Sequence, residues 1–165
     1  MRRVTPIGAA LLAAAFAAAC GGSSAASPER ALPPERAPAP EPVDAASLPS
    51  PPTPWDQMDS EAQAQWMYAE VVPRMSERFE DFDEDRYGGM DCATCHGPDP
   101  ESRGFAMPSP ALPPLPERGT PEAEALHAEH PEVIAFMAEE VVPTMRALLG
   151  KGEDFSCHSC HPHAG

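Results

Sequence analysis

Glu70-Val71-Val72-Pro73-Arg74-Met75 returns 70 residues later as Glu140-Val141-Val142-Pro143-Thr144-Met145. The register extends backward, with Trp66-Met67 over Phe136-Met137. Forward, each copy runs into the same five-residue pattern, Cys92-Ala93-Thr94-Cys95-His96 and Cys157-His158-Ser159-Cys160-His161. A single short match can be chance. Two matches that both end on Cys-x-x-Cys-His mark a duplicated unit, and a repeat has to be recognised before any fold is assigned. Residues 55–165 are therefore expected to form one domain built from two copies, repeat one over 60–97 and repeat two over 131–165. The first copy carries five extra residues before its cysteines, in an acidic, glycine-containing stretch from Asp81 to Gly89.

Each copy begins as an amphipathic helix. Met67, Val71, Met75, Phe79 and Phe82 recur every three or four residues, and Ile134, Met137, Val141, Met145 and Leu148 do the same, the spacing of one helical face. Ser60 with Gln63 offers a capping box at the first start, and Pro131 suits the first position of the second helix. Pro73 and Pro143 fall inside these patterns, where each removes a donor and crowds the preceding turn, so a kink or break is expected at both. Gly150 and Gly152 provide a stop for the second helix. Between the copies, residues 97–120 are expected to form an ordered but irregular wrap against the first unit, followed by a short helix from Thr120-Pro121 toward Glu129. The fold class expected is all-α, with proline-rich irregular segments.

The N-terminal part reads differently. Arg2 and Arg3 precede an apolar run from Ile7 to Ala19, the layout of an export signal over residues 1–19. That run is too short to span a bilayer, which takes about 20 residues. It stops at Ala17-Ala18-Ala19-Cys20-Gly21, which resembles a bacterial lipobox with Cys20 as the lipidated residue; Ala17 stands where leucine is usual. The alternative is an ordinary signal peptide that leaves Cys20 a spare thiol. By resemblance, Gly21 in place of aspartate implies the outer membrane, facing the periplasm. Residues 21–54 hold ten prolines and seven alanines with no aromatic residue. Such a composition cannot repay chain ordering by burial, so residues 20–54 are expected to be a lipid-anchored, semi-extended tether.

Charge narrows the partners. Losing residues 1–19 leaves nine basic and 26 acidic residues, a formal −17. An anionic lipid surface or a nucleic acid would repel such a chain, and a basic protein would attract it.

Cys-x-x-Cys-His is the attachment pattern of c-type haem. Two thiols three residues apart reach the two vinyl groups, and the adjacent imidazole reaches the iron. The expectation is two covalently attached haem c groups, held by Cys92, Cys95 and His96 and by Cys157, Cys160 and His161. Two other readings compete: the four thiols as one tetrahedral zinc site, or as disulfides in an oxidising compartment. Neither accounts for a histidine after the second cysteine both times.

For the remaining iron position, Met75 and Met145 are preferred, since they hold equivalent places in the repeat, 17 and 12 residues before the first motif cysteine. A thioether there raises the reduction potential and suits electron transfer. Met67 and Met137 are also equivalent to each other, and Met107 is the runner-up for the first copy. Met90 lies too close to Cys92. His127, His130 and His163 are surface histidines or substitute ligands, and His158, between two cysteines, is expected to point away from the iron.

A methionine-bearing helix, a turn and Cys-x-x-Cys-His together resemble the repeat of the multihaem cytochrome subunit of photosynthetic reaction centres. Met145-Arg-Ala-Leu-Leu-Gly leading to Cys157-His-Ser-Cys160-His161 is the closer copy. The resemblance covers roughly residues 66–97 and 132–162, and it implies methionine and histidine axial ligands and a membrane-associated electron donor. There are two units here where that family has four, each helix carries an internal Val-Val-Pro, and the first spacer is longer, so a role as donor to a photosystem does not carry over. The function expected is a dihaem periplasmic one-electron carrier, not an enzyme, tethered by its N-terminal lipid and serving a basic redox protein. Its rivals are a haem-based ligand sensor or small dihaem enzyme with an open iron, and a zinc scaffold without haem.

Overall fold

A computed structural model describes residues 44–165; the expected signal segment, Cys20 and most of the tether lie outside them. The described residues are 60% helical and contain no strands, which agrees with an all-α class.

The first copy comprises α1 (Ser60–Trp66), a π-turn (Met67–Val71) and α2 (Val72–Tyr87), followed by α3 (Cys92–His96). After the irregular segment come α4 (Pro121–Glu129), α5 (Pro131–Phe136), a second π-turn (Met137–Val141) and α6 (Val142–Leu148). The second cysteine motif forms a 3₁₀ turn over Cys157–Ser159. No helix among the described residues is long and apolar enough to cross a membrane.

Neither internal proline breaks its helix. A proline crowds the carbonyl four residues back and donates nothing to it. In both copies the turn before the proline widens instead: the Val72 N–H reaches the Met67 carbonyl, and the Val142 N–H reaches that of Met137. These five-residue bonds are π-turns, again 70 residues apart. Helical backbone geometry runs through each proline, and the residues beyond it are rotated about the helix by the extra residue of the π-turn.

Other ends follow from local chemistry. The first helix is capped by Asp59, whose carboxylate accepts from the Ala62 N–H at 2.8 Å, so the expected Ser60–Gln63 box is replaced by a cap one residue earlier. The freed Gln63 side chain donates to the Trp55 carbonyl at 3.0 Å. Pro131 opens α5 and Thr120 caps α4, as expected. Past α6 the Gly150 N–H bonds the Ala147 carbonyl and the Lys151 N–H that of Arg146, the paired bonds of a glycine stop, with Gly150 at φ +60°. The acidic stretch expected to be a connection is helical as far as Tyr87, with only Asp83 leaving helical geometry.

The two helical copies pack antiparallel. Trp66 Nε1 donates to the Leu148 carbonyl at 2.7 Å, Arg78 pairs with Glu140 at 2.9 Å, and the Phe82 ring stacks on Phe136 at 4.2 Å. This register brings the two Val-Val-Pro segments level with each other midway along the pair. Phe79 meets Phe136 edge-on at 5.0 Å, and Val71, Met75, Leu148 and Leu149 complete the buried core. The copies do not bury equivalent faces. Copy one buries Val71, Met75 and Phe79; copy two buries Phe136, Glu140, Thr144, Leu148 and Leu149, so that Leu149 matches Phe79 while Glu140, Thr144 and Leu148 form a row one residue out of step with the first.

Residues 44–54, assigned to the tether by composition, already lie on these helices. Asp44 caps a 3₁₀ turn over Ala45–Ser47, Leu48 and Trp55 pack against the core, and Lys151 Nζ grips both Asp56 oxygens at 2.7 Å.

Candidate haem-attachment site

Each cysteine motif occupies one tight, capped turn. Asp91 precedes the first; its carboxylate accepts from Ala93 N at 2.8 Å and Thr94 N at 3.3 Å, while Thr94 Oγ1 accepts from Asp91 N at 3.1 Å. Ser156 and Ser159 make the same reciprocal box around the second, with Ser156 N donating to Ser159 Oγ at 2.9 Å. In both, the hydroxyl residue just before the second cysteine locks the residue just before the first. A capping box satisfies orphan donors and fixes the turn, so each cysteine pair is held at a set spacing. Asp91, Thr94, Ser156 and Ser159 were not singled out in the sequence, although the shared Asp/Ser-Cys-x-Thr/Ser-Cys-His pattern carries the signal.

The irregular segment brings the two motifs together. Ser109, fully buried, donates its N–H to the Cys160 carbonyl at 3.0 Å. On its other side lies Gly97, directly after His96: a Cβ there would meet Ala111 Cβ at 2.5 Å and Ser109 Oγ at 3.3 Å. Arg103 clamps the same loop, donating to the His96 carbonyl at 2.6 Å and to that of Ala106 at 3.0 Å. The wrap expected to lie against the first unit thus joins both, since Leu115 also forms a parallel bridge with His163. In the second copy Arg146 reaches from α6 to the Phe155 carbonyl at 2.8 Å, tying the helix to the approach of its motif. Burial pushes the Cys95 thiol up to about 11, with Cys160 and then Cys92 adding like charge, and burial raises Cys160 to about 11 as well, with Cys157 adding to it.

The motif histidines suit metal ligation. His161 Nδ1 lies 2.9 Å from the Pro113 carbonyl. A carbonyl only accepts, so Nδ1 carries a proton, and it is Nε2 whose lone pair is available in the neutral ring. Burial pushes the His96 imidazole below the usual histidine range, opposed by a backbone hydrogen bond with Phe105 and aided by the Arg103 charge. Its Nδ1 is buried without a hydrogen-bond partner, and the Phe105 ring stands edge-on at 5.4 Å. The suppressed charge keeps this imidazole neutral, as a metal ligand must be, though its Nδ1 lacks the orienting carbonyl that His161 has.

The four described thiols are free, and no three of their sulfurs lie within 4.8 Å of one another.

The methionines separate. Met75 is 4% exposed in the interhelical core, whereas Met145 is half-buried at its edge. Met67, Met137 and Met90 also pack, half-buried, against that core, and Met107 is half-buried in the irregular segment two residues before Ser109. The repeat makes Met75 and Met145 equivalent in sequence; the one-residue offset between the buried rows makes them different in surroundings. His127 and His130 lie exposed on and beside α4.

No protein-family model matches the chain, and neither a curated protein nor a solved structure is significantly similar to it.

Proposed function

We propose that this chain is a dihaem c-type cytochrome that carries single electrons in the bacterial cell envelope. The reading rests on one observation above the rest: two Cys-x-x-Cys-His turns, each locked by its own capping box, meet at one buried residue, Ser109, which bonds the Cys160 carbonyl and packs against Gly97 just after His96. Haem, when bound, supplies the one-electron chemistry. The chain supplies attachment and orientation. Cys92 and Cys95 hold one group and Cys157 and Cys160 the other. His96 and His161 are the proximal ligands, the second oriented by the Pro113 carbonyl. No three of the four sulfurs lie within 4.8 Å of one another, which weighs against a single zinc site.

Met145 is the better distal candidate, because it sits at the edge of the core. Met75, with Met107 as its alternative, is proposed for the first copy. The burial of Met75 in the core favours a second reading for that copy alone: an iron left open on one side, as in a ligand sensor or small enzyme. The acidic surface calls for a basic redox protein as partner, docking in a salt-sensitive way. Lipidation of Cys20 is proposed to anchor the chain at the outer membrane, facing the periplasm.

The test is the visible spectrum of the mature protein from a haem-attaching host, oxidised and reduced, with and without carbon monoxide. Low-spin spectra unchanged by carbon monoxide support the electron carrier with both irons closed. A carbon monoxide shift in about half of the haem, abolished by Cys92→Ser with Cys95→Ser, assigns an open iron to copy one.

A further inference from the structure

Among the described residues, ligand atoms of histidine, cysteine and acidic side chains converge in one place: a Glu117 carboxylate oxygen and a ring nitrogen each of His158 and His163, all within 4.8 Å of one another. Backbone geometry sets this meeting. Leu115 and His163 are bridged in parallel, Leu115 N–H bonding the Pro162 carbonyl and Ala164 N–H bonding that of Leu115, both at 2.8 Å. Glu117 lies two residues beyond Leu115, and His163 Nδ1 stands 2.6 Å from its Oε1. The His158 ring stacks on that of His163 at 3.8 Å, with planes 6° apart. His158 Nδ1 is buried and has no hydrogen-bond partner. None of the three side chains has a part in haem attachment, which falls to Cys157, Cys160 and His161.

We propose that Glu117, His158 and His163 form a zinc-class divalent metal site beside the second cysteine motif, separate from the thiols. Two imidazoles and a carboxylate with a fourth position left for water are a donor set for zinc; calcium and magnesium take oxygen donors, and cuprous copper is favoured by soft sulfur ligands. Zinc bonds of about 2.0–2.1 Å bring donors closer together than they stand in the free chain. The Glu117 and His163 side chains are 65% and 59% exposed, free to turn inward. An ion lying in the plane of each imidazole requires the parallel rings to splay, so metal binding opens the histidine stack. The chain's formal charge of −15 favours capture of a cation.

The site stands independently of the haem reading, and the test keeps the two apart. The full chain, purified with whatever cofactor it carries, is stripped of adventitious metal, titrated with zinc by calorimetry and studied by zinc X-ray absorption. The expected result is one zinc per chain with a shell of nitrogen and oxygen only. His163→Ala and Glu117→Gln each weaken binding by at least about tenfold, the lower end of what even outer-shell changes cost. His130→Ala, at a distant surface histidine, leaves it unchanged. The proposal is overturned by absence of saturable zinc binding, by affinity indifferent to His163→Ala and Glu117→Gln, or by an equal loss in His130→Ala. A sulfur shell at about 2.3 Å overturns it too, and also shows the cysteines unattached to haem, which the other failures do not.

Discussion

Cys95 and Cys160 show how burial sets the chemistry of a side chain. In the chain without haem, burial pushes both thiols up to about 11 from an ordinary value of 9.0. The folded form then keeps two protons that the unfolded chain releases near pH 9. Stability from this source is full below about pH 9 and is lost as pH rises toward about 11, the sign expected when the folded state binds more protons. Urea midpoints of haem-free protein should therefore fall between pH 9 and 11. Replacing both residues by serine should flatten that fall; an equal fall in the serine variant would place the cause elsewhere. Gly97 is the other residue whose local geometry matters. At φ +80° and ψ 178° it occupies a region essentially closed to other residues, and a Cβ there would strike Ala111. Gly97→Ala should cost about 2–4 kcal/mol from strain and overpacking, read as a lower urea midpoint. The reason is legible only in three dimensions, because the sequence places Ala111 fourteen residues away.

At the level of elements, the helices were legible because apolar spacing and end signals agree: Pro131, Thr120 and Gly150 each stand where the structure starts or stops a helix. The π-turns were not. Proline announces that the helix must accommodate something, but breaking, kinking and widening all relieve the same clash, and packing selects among them. Nor does sequence spacing reveal the one-residue offset between the two buried rows, since Glu140 and Thr144 are polar and stand outside the apolar spacing of Ile134, Met137, Val141, Met145 and Leu148. Glu140 is held by Arg78 from the other copy, with side chains 8% and 24% exposed. Removing one partner of a buried pair strands the other charge. Arg78→Ala should therefore destabilise the domain by about 3 kcal/mol, at the low end of the range for buried pairs because Arg78 keeps some water. Adding Glu140→Gln should recover part of that loss in the same unfolding measurement. A double variant no more stable than Arg78→Ala would mean that Arg78 acts through packing alone.

For the molecule as a whole, the motif residues were readable as a chemical pattern, while their juxtaposition was not. Residues 97–120 carry no period that foretells a bridge from Leu115 to His163 or a buried Ser109 between the two cysteine turns. Yet this segment gathers the candidate site, and its ordering explains how a proline-rich chain with a thin aromatic core holds two distant motifs together. Two porphyrins would add apolar surface for these short helices to cover. The most direct measurement is the covalent haem count, by intact mass and haem absorbance, of protein produced in a haem-attaching host. Two haems on the unmodified chain are predicted, and one on each of two variants, Cys92→Ser with Cys95→Ser and Cys157→Ser with Cys160→Ser. A bare polypeptide mass, or a count unaffected by either pair of substitutions, would contradict the assignment of these turns to haem.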